Sequence, residues 1–482
     1  MEYVTKGYNP QRVLEYFEEI CAIPHGSGNE GQIADYLCTF ASSHRLWHIR
    51  DEYNNVFIKK QASKGYEEKA PVMLQGHMDM VCEKNADTQH DFLTDPLTLR
   101  IKDGRLMASG TTLGGDDGIA LAYMLAILES DEISHPALEC LITTGEETSM
   151  VGASFFDYSK VSARRIINID SEEEGIVTVS CAGGCGLLFD AEGELLSGKG
   201  RTLQINVSGL AGGHSGTEIN EGRANSIRIM GRILARLYDD TPFNLCSISG
   251  GNKINAIPRE CEAQIYVLDT ERAKSIIEDE TAKIRKDLSP KDKRFRVRCK
   301  KGATDAPMLT YKSSSAVVNL VCLLHNGVYA MHSGEDLVRS SSNMGIITTE
   351  AGRVRLSIMA RSSSESEMDA MILTFKRGAK AVGAVMEIVD RHPGWEWNPS
   401  SPLADSYVQI YNSLYPDVKG EAKKCAIHAG LECGIIVSAL GSDADAVSIG
   451  PDIYNIHTPD EALDLASTER TYNVLVRMLA EG

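Results

Sequence analysis

Seven side chains that could bind metal ions or move protons lie at the borders of short apolar segments in this chain. They are His77, Asp79, Asp116, Glu146, Glu147, Asp170 and His457. Imidazole nitrogens and carboxylate oxygens suit Zn²⁺, Mn²⁺ or Co²⁺ better than an ion that prefers thiolates. One carboxylate can bridge two such ions about 3.5–4 Å apart. The set predicts a hydrolase that uses two metal ions.

His77 and Asp79 are separated by one residue and follow an apolar segment. In an extended backbone, residues two apart point the same way, so both side chains can face one site. A carboxylate beside a metal-binding histidine fixes the ring tautomer and makes the imidazole more basic. A surface turn is the alternative explanation for this pair taken alone.

Asp116 and Asp117 follow two glycines and precede an almost wholly apolar stretch, residues 119–128, which predicts a buried helix. Negative charge is favoured at a helix N-terminus, so a helix cap would explain one aspartate. It does not explain two, because a buried carboxylate needs a partner such as a metal ion.

Glu146 and Glu147 follow another apolar segment. Two adjacent carboxylates repel each other when they are buried without a cation. With a metal ion present, one can bind the ion while the other stays free as a general base. An exposed acidic loop is the alternative.

His457 is followed by Thr458-Pro-Asp-Glu461. This pattern predicts a helix that starts at Thr458, with Pro459 in its first turn and Glu461 closing a capping box.

The elements that must position these residues are predicted strands and helices in alternation. Helices are predicted at residues 11–20 and 31–42, and strands at 72–75, 138–143, 165–169 and 446–449. This alternation predicts an α/β fold with a mostly parallel central sheet flanked by helices. Sites in such sheets form at the carboxyl ends of the strands, where the candidate ligands fall.

The middle of the chain predicts a second domain. Longer amphipathic helices (226–238 and 368–381) alternate there with strand-like segments such as 202–207 and 353–360. We therefore expect an inserted α+β domain at 186–395, with a catalytic domain made of 1–185 and 396–482. At 482 residues the chain is too long for one ordinary core.

Composition excludes several partners. The net charge of −18 argues against binding to nucleic acid or to an anionic membrane surface. No apolar run reaches the roughly 18 residues of a spanning helix. The 12 cysteines show no disulfide framework, so we expect reduced thiols and a cytoplasmic location.

The order of these motifs (HxD, GGDDG, GEE, D, H) resembles the M20 metallopeptidases. The segments 212–216 (GGHSG), 250–258 (GGNKINAIP) and 428–434 (HAGLECG) resemble the Xaa-His dipeptidase branch of that family. The resemblance covers nearly the whole chain. It departs at Gly118, where many members of the family have lysine.

The resemblance implies roles for the candidate residues. One metal ion would be bound by His77 and Asp170 and the other by Glu147 and His457, with Asp116 as the bridge. It also implies a cis peptide bond after Asp116. Zinc is the expected metal, with manganese or cobalt as alternatives. Asp79 would orient His77, and Glu146 would be the general base.

The resemblance also implies that the inserted domain is a lid and forms a homodimer. His214 would reach the site of the partner subunit and polarise the scissile carbonyl. Asn255 and Arg361 would contact the carboxylate end of the substrate, and Glu432 would lie near its amino end.

The expected function is hydrolysis of unblocked dipeptides, preferably Xaa-His such as β-Ala-His. A metal-bound water would attack the carbonyl, with Glu146 as its base. One alternative is an aminopeptidase of broader specificity in the same family, and another is an N-acyl amino acid deacylase. A non-catalytic metal- or peptide-binding protein is the alternative from another class, and the complete ligand set with Glu146 argues against it.

Overall fold

The structure is a computed structural model that describes residues 3–197, 200–304, 306–333 and 337–481. The chain forms two compact units. The first comprises Met1–Cys181, Trp395–Ala426 and Leu431–Gly482, and the second comprises Ala182–Gly394 and Ile427–Gly430. The sequence predicts boundaries after residues 185 and 395 and gives no sign of the short segment 427–430. That segment joins the second unit because the Ala182 N–H donates to the carbonyls of Ile427 and Ala429.

The helices alternate with strands along much of the chain. They are α1 (Gln11–Cys21), α2 (Gly31–Ser43), α3 (Gly115–Glu129), α4 (Val151–Phe155), α5 (Ser226–Asp240), α6 (Thr270–Asp287), α7 (Tyr311–Leu323), α8 (Glu365–Ala381), α9 (Pro402–Leu414), α10 (Glu432–Leu440) and α11 (Leu465–Glu481). Among the described residues, no helix combines the length and the apolar character needed to cross a bilayer.

The strands up to residue 208 are β1 (Trp47–Arg50), β2 (Val56–Lys60), β3 (Val72–His77), β4 (Leu99–Lys102), β5 (Arg105–Ala108), β6 (Leu138–Thr143), β7 (Arg165–Asn168), β8 (Ile176–Cys181), β9 (Gly183–Glu192), β10 (Leu195–Leu196) and β11 (Gly200–Ser208). The later strands are β12 (Gly213–His214), β13 (Phe243–Gly250), β14 (Ala256–Ile257), β15 (Cys261–Val267), β16 (Arg296–Thr304), β17 (Met308–Leu309), β18 (Gly327–Met331), β19 (Val338–Glu350), β20 (Arg353–Ser362), β21 (Val385–His392), β22 (Lys423–Ile427), β23 (Asp445–Ser448), β24 (Ile453–Tyr454) and β25 (Ala462–Asp464).

The first unit is built on a sheet with the strand order β1-β2-β6-β3-β7-β23-β8-β22. Its central strands β6, β3, β7 and β23 are parallel, and antiparallel strands flank them. Every residue of β3 and β6 is buried, so both faces of the sheet are covered at its centre. The predicted α/β fold with a mostly parallel central sheet is confirmed.

Helix α3 carries the paired aspartates into the interior of this unit. Its residues from Asp117 to Leu128 are buried, and it packs against β3 and α1. Asp116 and Asp117 have non-helical backbone angles, and a cis peptide bond joins them, as the family resemblance implies. A Cβ at Gly118 would lie 3.2 Å from the ring of Phe17 on α1, which leaves little room for a lysine side chain there.

The predicted helix start at Thr458 is wrong. Residues 458–460 form a turn, strand β25 follows, and the next helix begins only at Leu465. The physical reason is that the Glu461 carboxylate binds backbone amides elsewhere in the unit and does not close a capping box. Strand β25 belongs to a small antiparallel sheet with the order β24-β25-β5-β4.

The second unit has the predicted α+β character. Its main sheet has the strand order β16-β11-β15-β13-β19-β20-β9-β21, with β18 beside β19. The pairs in this sheet are antiparallel. Helix α5 packs against β11, β13, β15 and β19, and α8 packs against β20 and β21. Strands β12 and β14 form a separate two-stranded ladder, and β14 packs against β19.

Candidate active site

The first cluster of candidate ligands forms where β3 and β7 end. His77 is the last residue of β3, and Asp170 follows β7 closely, since the Ile169 N–H still donates to the carbonyl of Gln75 on β3. The His77 Nε2 atom lies 3.6 Å from an oxygen of Asp170 and 3.1 Å from Oδ1 of Asp116. The parallel pairing of two strands therefore brings two predicted ligands together.

The second cluster lies on the other side of Asp116. The His457 Nε2 atom is 3.0 Å from Oε1 of Glu147 and 3.3 Å from Oδ2 of Asp116. Asp116 thus turns one carboxylate oxygen towards His77 and the other towards His457. In each cluster the possible ligand atoms lie within 4.8 Å of one another. The five predicted metal ligands are therefore adjacent in the first unit.

The charge at this place suits cations. Among the described residues, the ion pairs that involve Asp116, Glu147 and Asp170 are formed with histidines. Burial, together with the negative charges of Asp116 and Glu147, raises the pKa of Asp170 to about 6 despite the opposing effect of His77. Crowded buried carboxylates are unfavourable unless cations neutralise them. This donor set therefore fits divalent metal ions.

Glu146 stands next to Glu147 in the turn that follows β6. Burial raises the pKa of its carboxyl group well above the usual range. His77 opposes the shift, and the charges of Asp170 and Glu432 add to it. A carboxyl group with a raised pKa can take up a proton near neutral pH.

Asp79 contacts two elements of the site. Its backbone carbonyl lies 2.9 Å from Nδ1 of His77, whereas its carboxylate is 3.5 Å from the same atom. The carboxylate accepts hydrogen bonds from the Glu146 N–H (3.1 Å) and from the Ser27 hydroxyl (2.7 Å). The main chain of Asp79 therefore makes the closer contact with His77, while its side chain fixes the loop that carries Glu146.

Two acidic residues to which the sequence assigned no part in the site also shape it. Asp117 is buried, and its Oδ2 accepts the backbone N–H of His77 at 3.1 Å. Glu461 accepts backbone N–H groups from the loop before Asp116. The second aspartate of the GGDDG motif was a sequence signal for the role of Asp117. The capping-box pattern after His457 concealed the role of Glu461.

Glu432, the first residue of α10, is fully buried in the first unit. Its Oε2 accepts hydrogen bonds from the Thr143 hydroxyl (2.6 Å) and from the Gln75 side chain, while Oε1 has no hydrogen-bond partner within the part of the chain that the structure describes. Burial raises its pKa to about 7. Oε1 is therefore the oxygen of this carboxyl group that is left for a further hydrogen bond.

His214 and Asn255 lie side by side in the second unit. His214 belongs to β12, which pairs with β14 directly after Asn255, and the Ser215 N–H donates to the Asn255 carbonyl. The Nδ1 atom of His214 accepts hydrogen bonds from the backbone N–H groups of Gly216 and Thr217. An imidazole that accepts at Nδ1 carries its proton at Nε2, so His214 can donate from Nε2. Burial and the positive charge of Arg361 lower its pKa, which keeps the ring neutral.

Arg361 is a buried cation on β20. Only 7% of the residue is exposed, its Nε has no hydrogen-bond partner among the described residues, and burial lowers its pKa to about 10. A buried guanidinium without a partner is costly. The residue is therefore suited to receive an anion.

A parallel sheet with overlapping histidine–carboxylate clusters at its strand ends and an inserted α+β unit is the arrangement expected of a two-metal hydrolase. Comparison with known proteins is more specific. A family profile described as "Peptidase dimerisation domain" of the M20 peptidases matches residues 205–293. The chain is 34% identical over 481 residues to the cytosol non-specific dipeptidase of Escherichia coli (strain K12), covering 98% of each sequence. The chain belongs to the M20 peptidase family.

Solved structures agree with this assignment. Aminoacylhistidine dipeptidase from Vibrio alginolyticus matches with a TM-score of 0.90 and 32% identity, over 100% of this chain and 98% of that one. An aminopeptidase from Bacillus cereus matches with a TM-score of 0.57 and 17% identity, over 98% and 99% of the two chains. The second likeness is one of fold alone.

Proposed function

We propose that this protein is a two-metal dipeptidase. The observation that carries the proposal is the position of Asp116, whose two carboxylate oxygens face His77 at 3.1 Å and His457 at 3.3 Å. A carboxylate placed in this way can bridge two metal ions. Membership of the M20 family, and relatives that are themselves named dipeptidases, support the reaction class.

Each metal position has its own set of ligands in this proposal. His77 and Asp170 would hold one ion, Glu147 and His457 the other, and Asp116 would be shared. Zinc is the proposed metal, with manganese or cobalt as alternatives, because the donors are nitrogen and oxygen atoms. Two such ions polarise a peptide carbonyl and lower the pKa of an attacking water.

Glu146 is the proposed general base. The raised pKa of its carboxyl group fits a residue that accepts the proton of the attacking water and passes it to the leaving amine. Asp79 holds this residue in place by accepting its backbone N–H and also contacts His77. It thus orients the base and a metal ligand together.

His214 is proposed to stabilise the negative charge that develops on the carbonyl oxygen. Its neutral ring, with the proton at Nε2, is a fixed hydrogen-bond donor of the kind that stabilises an oxyanion. We propose that it acts on the site of the second copy in a homodimer. The match of residues 205–293 to a dimerisation domain supports the dimer.

Three further residues are proposed to bind the two ends of the substrate. Asn255, next to His214, and Arg361, whose Nε has no partner among the described residues, would contact the substrate carboxylate, which a guanidinium binds well. Glu432 would accept a hydrogen bond from the substrate amine through its unpartnered Oε1. A site with these contacts selects peptides with both ends free.

Xaa-His dipeptides are the proposed preferred substrates. The name of the Vibrio relative supports this preference, while the name of the Escherichia coli relative supports a broader dipeptidase as the second candidate. That relative is described as cytosolic, which supports a cytoplasmic location.

The test is hydrolysis of a peptide panel by chelated protein reloaded with Zn²⁺, Mn²⁺ or Co²⁺. The panel contains β-Ala-His, α-linked Xaa-His, other dipeptides, a tripeptide and an N-acetylated amino acid. Metal-dependent cleavage of free dipeptides, fastest for Xaa-His, is the expected result. Equal rates on all dipeptides would favour the broader enzyme. Cleavage of the acetylated compound alone would identify a deacylase, and no cleavage with metal bound would favour a binding protein.

A further inference from the structure

Glu461 is a buried carboxylate that binds backbone amides from a distant part of the first unit. Only 3% of the residue is exposed. Its Oε2 accepts N–H groups from Leu113 (2.8 Å) and Gly114 (3.3 Å), and its Oε1 accepts the N–H of Gly115 (2.7 Å). These are the three residues that directly precede Asp116, so both oxygens are used on the loop that presents the proposed bridging ligand.

The loop is shaped around this carboxylate. Gly114 has a φ of +69°, in the left-handed region, and a Cβ on Gly115 would lie 3.2 Å from the Glu461 Oε1 atom. Successive N–H groups that converge in this way form an anion-binding concavity. Gly114, which precedes helix α3, provides no side-chain cap. Glu461 therefore satisfies amides that the local sequence leaves without a partner.

The same residue lies at the end of the turn that carries His457. The Glu461 N–H donates to the carbonyl of Thr458, whose hydroxyl donates to the carbonyl of Asn455. His457 itself has a φ of +59° and a side chain that is 44% exposed. A non-glycine residue in this conformation is held there only by its surroundings. One side chain thus joins the His457 turn to the Asp116 loop.

The other metal position has a separate anchor. Asp117 accepts the backbone N–H of His77, which ties the paired aspartates to β3, and Asp170 is placed by the pairing of β7 with β3. Neither contact involves Glu461. Asp116 belongs to both clusters, but Glu461 joins its loop to the turn that carries His457 and not to β3 or β7. Removing the Glu461 carboxylate should therefore disturb the position of Glu147 and His457 more than that of His77 and Asp170.

We propose that Glu461 is a positioning residue that sets the place of His457 relative to Asp116 and thereby the affinity of the second metal position for a divalent cation. The inference rests on the proposed function, because it takes the two clusters as metal sites. Glu461 contacts neither substrate nor metal ion and acts through the backbone of residues 113–115.

The test compares the full-length protein with Glu461→Gln and with Glu139→Gln as a matched control. In Glu461→Gln an amide NH₂ faces backbone N–H donors, so at least one hydrogen bond is lost. Glu139 is also buried and accepts backbone N–H groups, from Ser162 and Ala163, but it lies near the start of β6, away from the clusters. Zn²⁺ and Co²⁺ binding to the chelated proteins is measured by calorimetry, alongside thermal unfolding without metal and hydrolysis of β-Ala-His.

Glu461→Gln should weaken one of the two binding events, called here the second event, by about 10–100-fold, a typical effect of losing a residue that orients metal ligands, and leave the other within about threefold. Excess metal should then restore kcat, and Glu461→Asp, which keeps both oxygens, should recover part of the affinity. Unchanged binding, or equal weakening of both events, would overturn the proposal. So would a selective loss of the second event in Glu139→Gln.

If Glu461→Gln does not fold, the same comparison is made with Glu461→Asp. For that variant, a second binding event with the same affinity as in the wild type would overturn the proposal. Wild-type protein separates this inference from the proposed function. If it binds two ions but hydrolyses no peptide, the dipeptidase proposal fails while the binding result for Glu461 still decides the inference. If it binds a single ion, both fail.

Discussion

His214→Ala tests the most demanding part of the proposed mechanism. The Nδ1 atom of His214 accepts the N–H groups of Gly216 and Thr217, which leaves one donor, Nε2–H, for the substrate. Loss of a single neutral donor to an oxyanion lowers kcat by about 10²–10³-fold, or about 2.7–4 kcal/mol. Steady-state kinetics on β-Ala-His should show this decrease, with the metal content unchanged because His214 belongs to neither cluster.

The control for this variant is His325→Ala. His325 is another half-buried histidine of the second unit, hydrogen-bonded to the Ser342 hydroxyl at 3.0 Å, and it has no proposed role. Its kcat should stay within about threefold of wild type. If His214→Ala also stays within that range, or loses metal in proportion to activity, the assigned role is wrong.

The pH dependence follows from the same geometry. Burial and the Arg361 charge lower the pKa of His214, so the ring is neutral above its usual titration range and would gain a proton only at lower pH. The ratio of wild-type to His214→Ala turnover should therefore stay constant from about pH 7 to about pH 9. A ratio that falls through this range would indicate a protonated imidazole as the active form.

The proposed action of His214 across the dimer predicts how much activity a mixture of two inactive variants should regain. In a hybrid of His214→Ala and Glu146→Ala chains, one of the two sites receives both intact residues. Random exchange of equal amounts makes half of the dimers hybrids, so about a quarter of wild-type activity should return. No recovery, with exchange verified by mass spectrometry of tagged chains, would exclude action in trans.

Three other substitutions test separate contacts. Glu146→Ala should lower kcat by about 10²–10⁴-fold in steady-state kinetics, while elemental analysis should show that the bound metal is kept. Substantial remaining activity would exclude Glu146 as the general base. Arg470→Met should lower the free energy of unfolding in urea by about 3–5 kcal/mol, because the fully buried Glu174 carboxylate loses its two 2.6 Å contacts with the Arg470 guanidinium. A decrease below about 1 kcal/mol would contradict this expectation. Asp117→Ala should cost about 1–3 kcal/mol by leaving the His77 N–H unpaired, whereas Asp117→Asn, which keeps an acceptor, should cost less by the same measurement.

The sequence indicated which residues meet in the two histidine–carboxylate clusters because of a simple property of parallel sheets. His77 ends one short strand and Asp170 closely follows another, and parallel neighbours end at the same edge. Asp116 could be placed there because it precedes a helix that is apolar on all sides. These are local patterns, and the fold brings them together in a regular way.

Contacts between distant segments could not be predicted in the same way. The pattern after His457 is that of a helix start, yet the Glu461 carboxylate binds residues 346–348 positions earlier in the chain. Local propensity favoured the capping box, and three converging amides provided a better partner. The short segment 427–430 joins the second unit through hydrogen bonds to Ala182, which no sequence pattern indicates.

The most direct test of the two-metal account is dipeptidase activity measured while metal is added back to the chelated protein. The account predicts that β-Ala-His hydrolysis rises to its maximum only when two equivalents of Zn²⁺ are bound per chain, and that Asp116→Ala neither binds two ions tightly nor reaches that rate. Full activity at one equivalent, or in the chelated protein, would contradict the account.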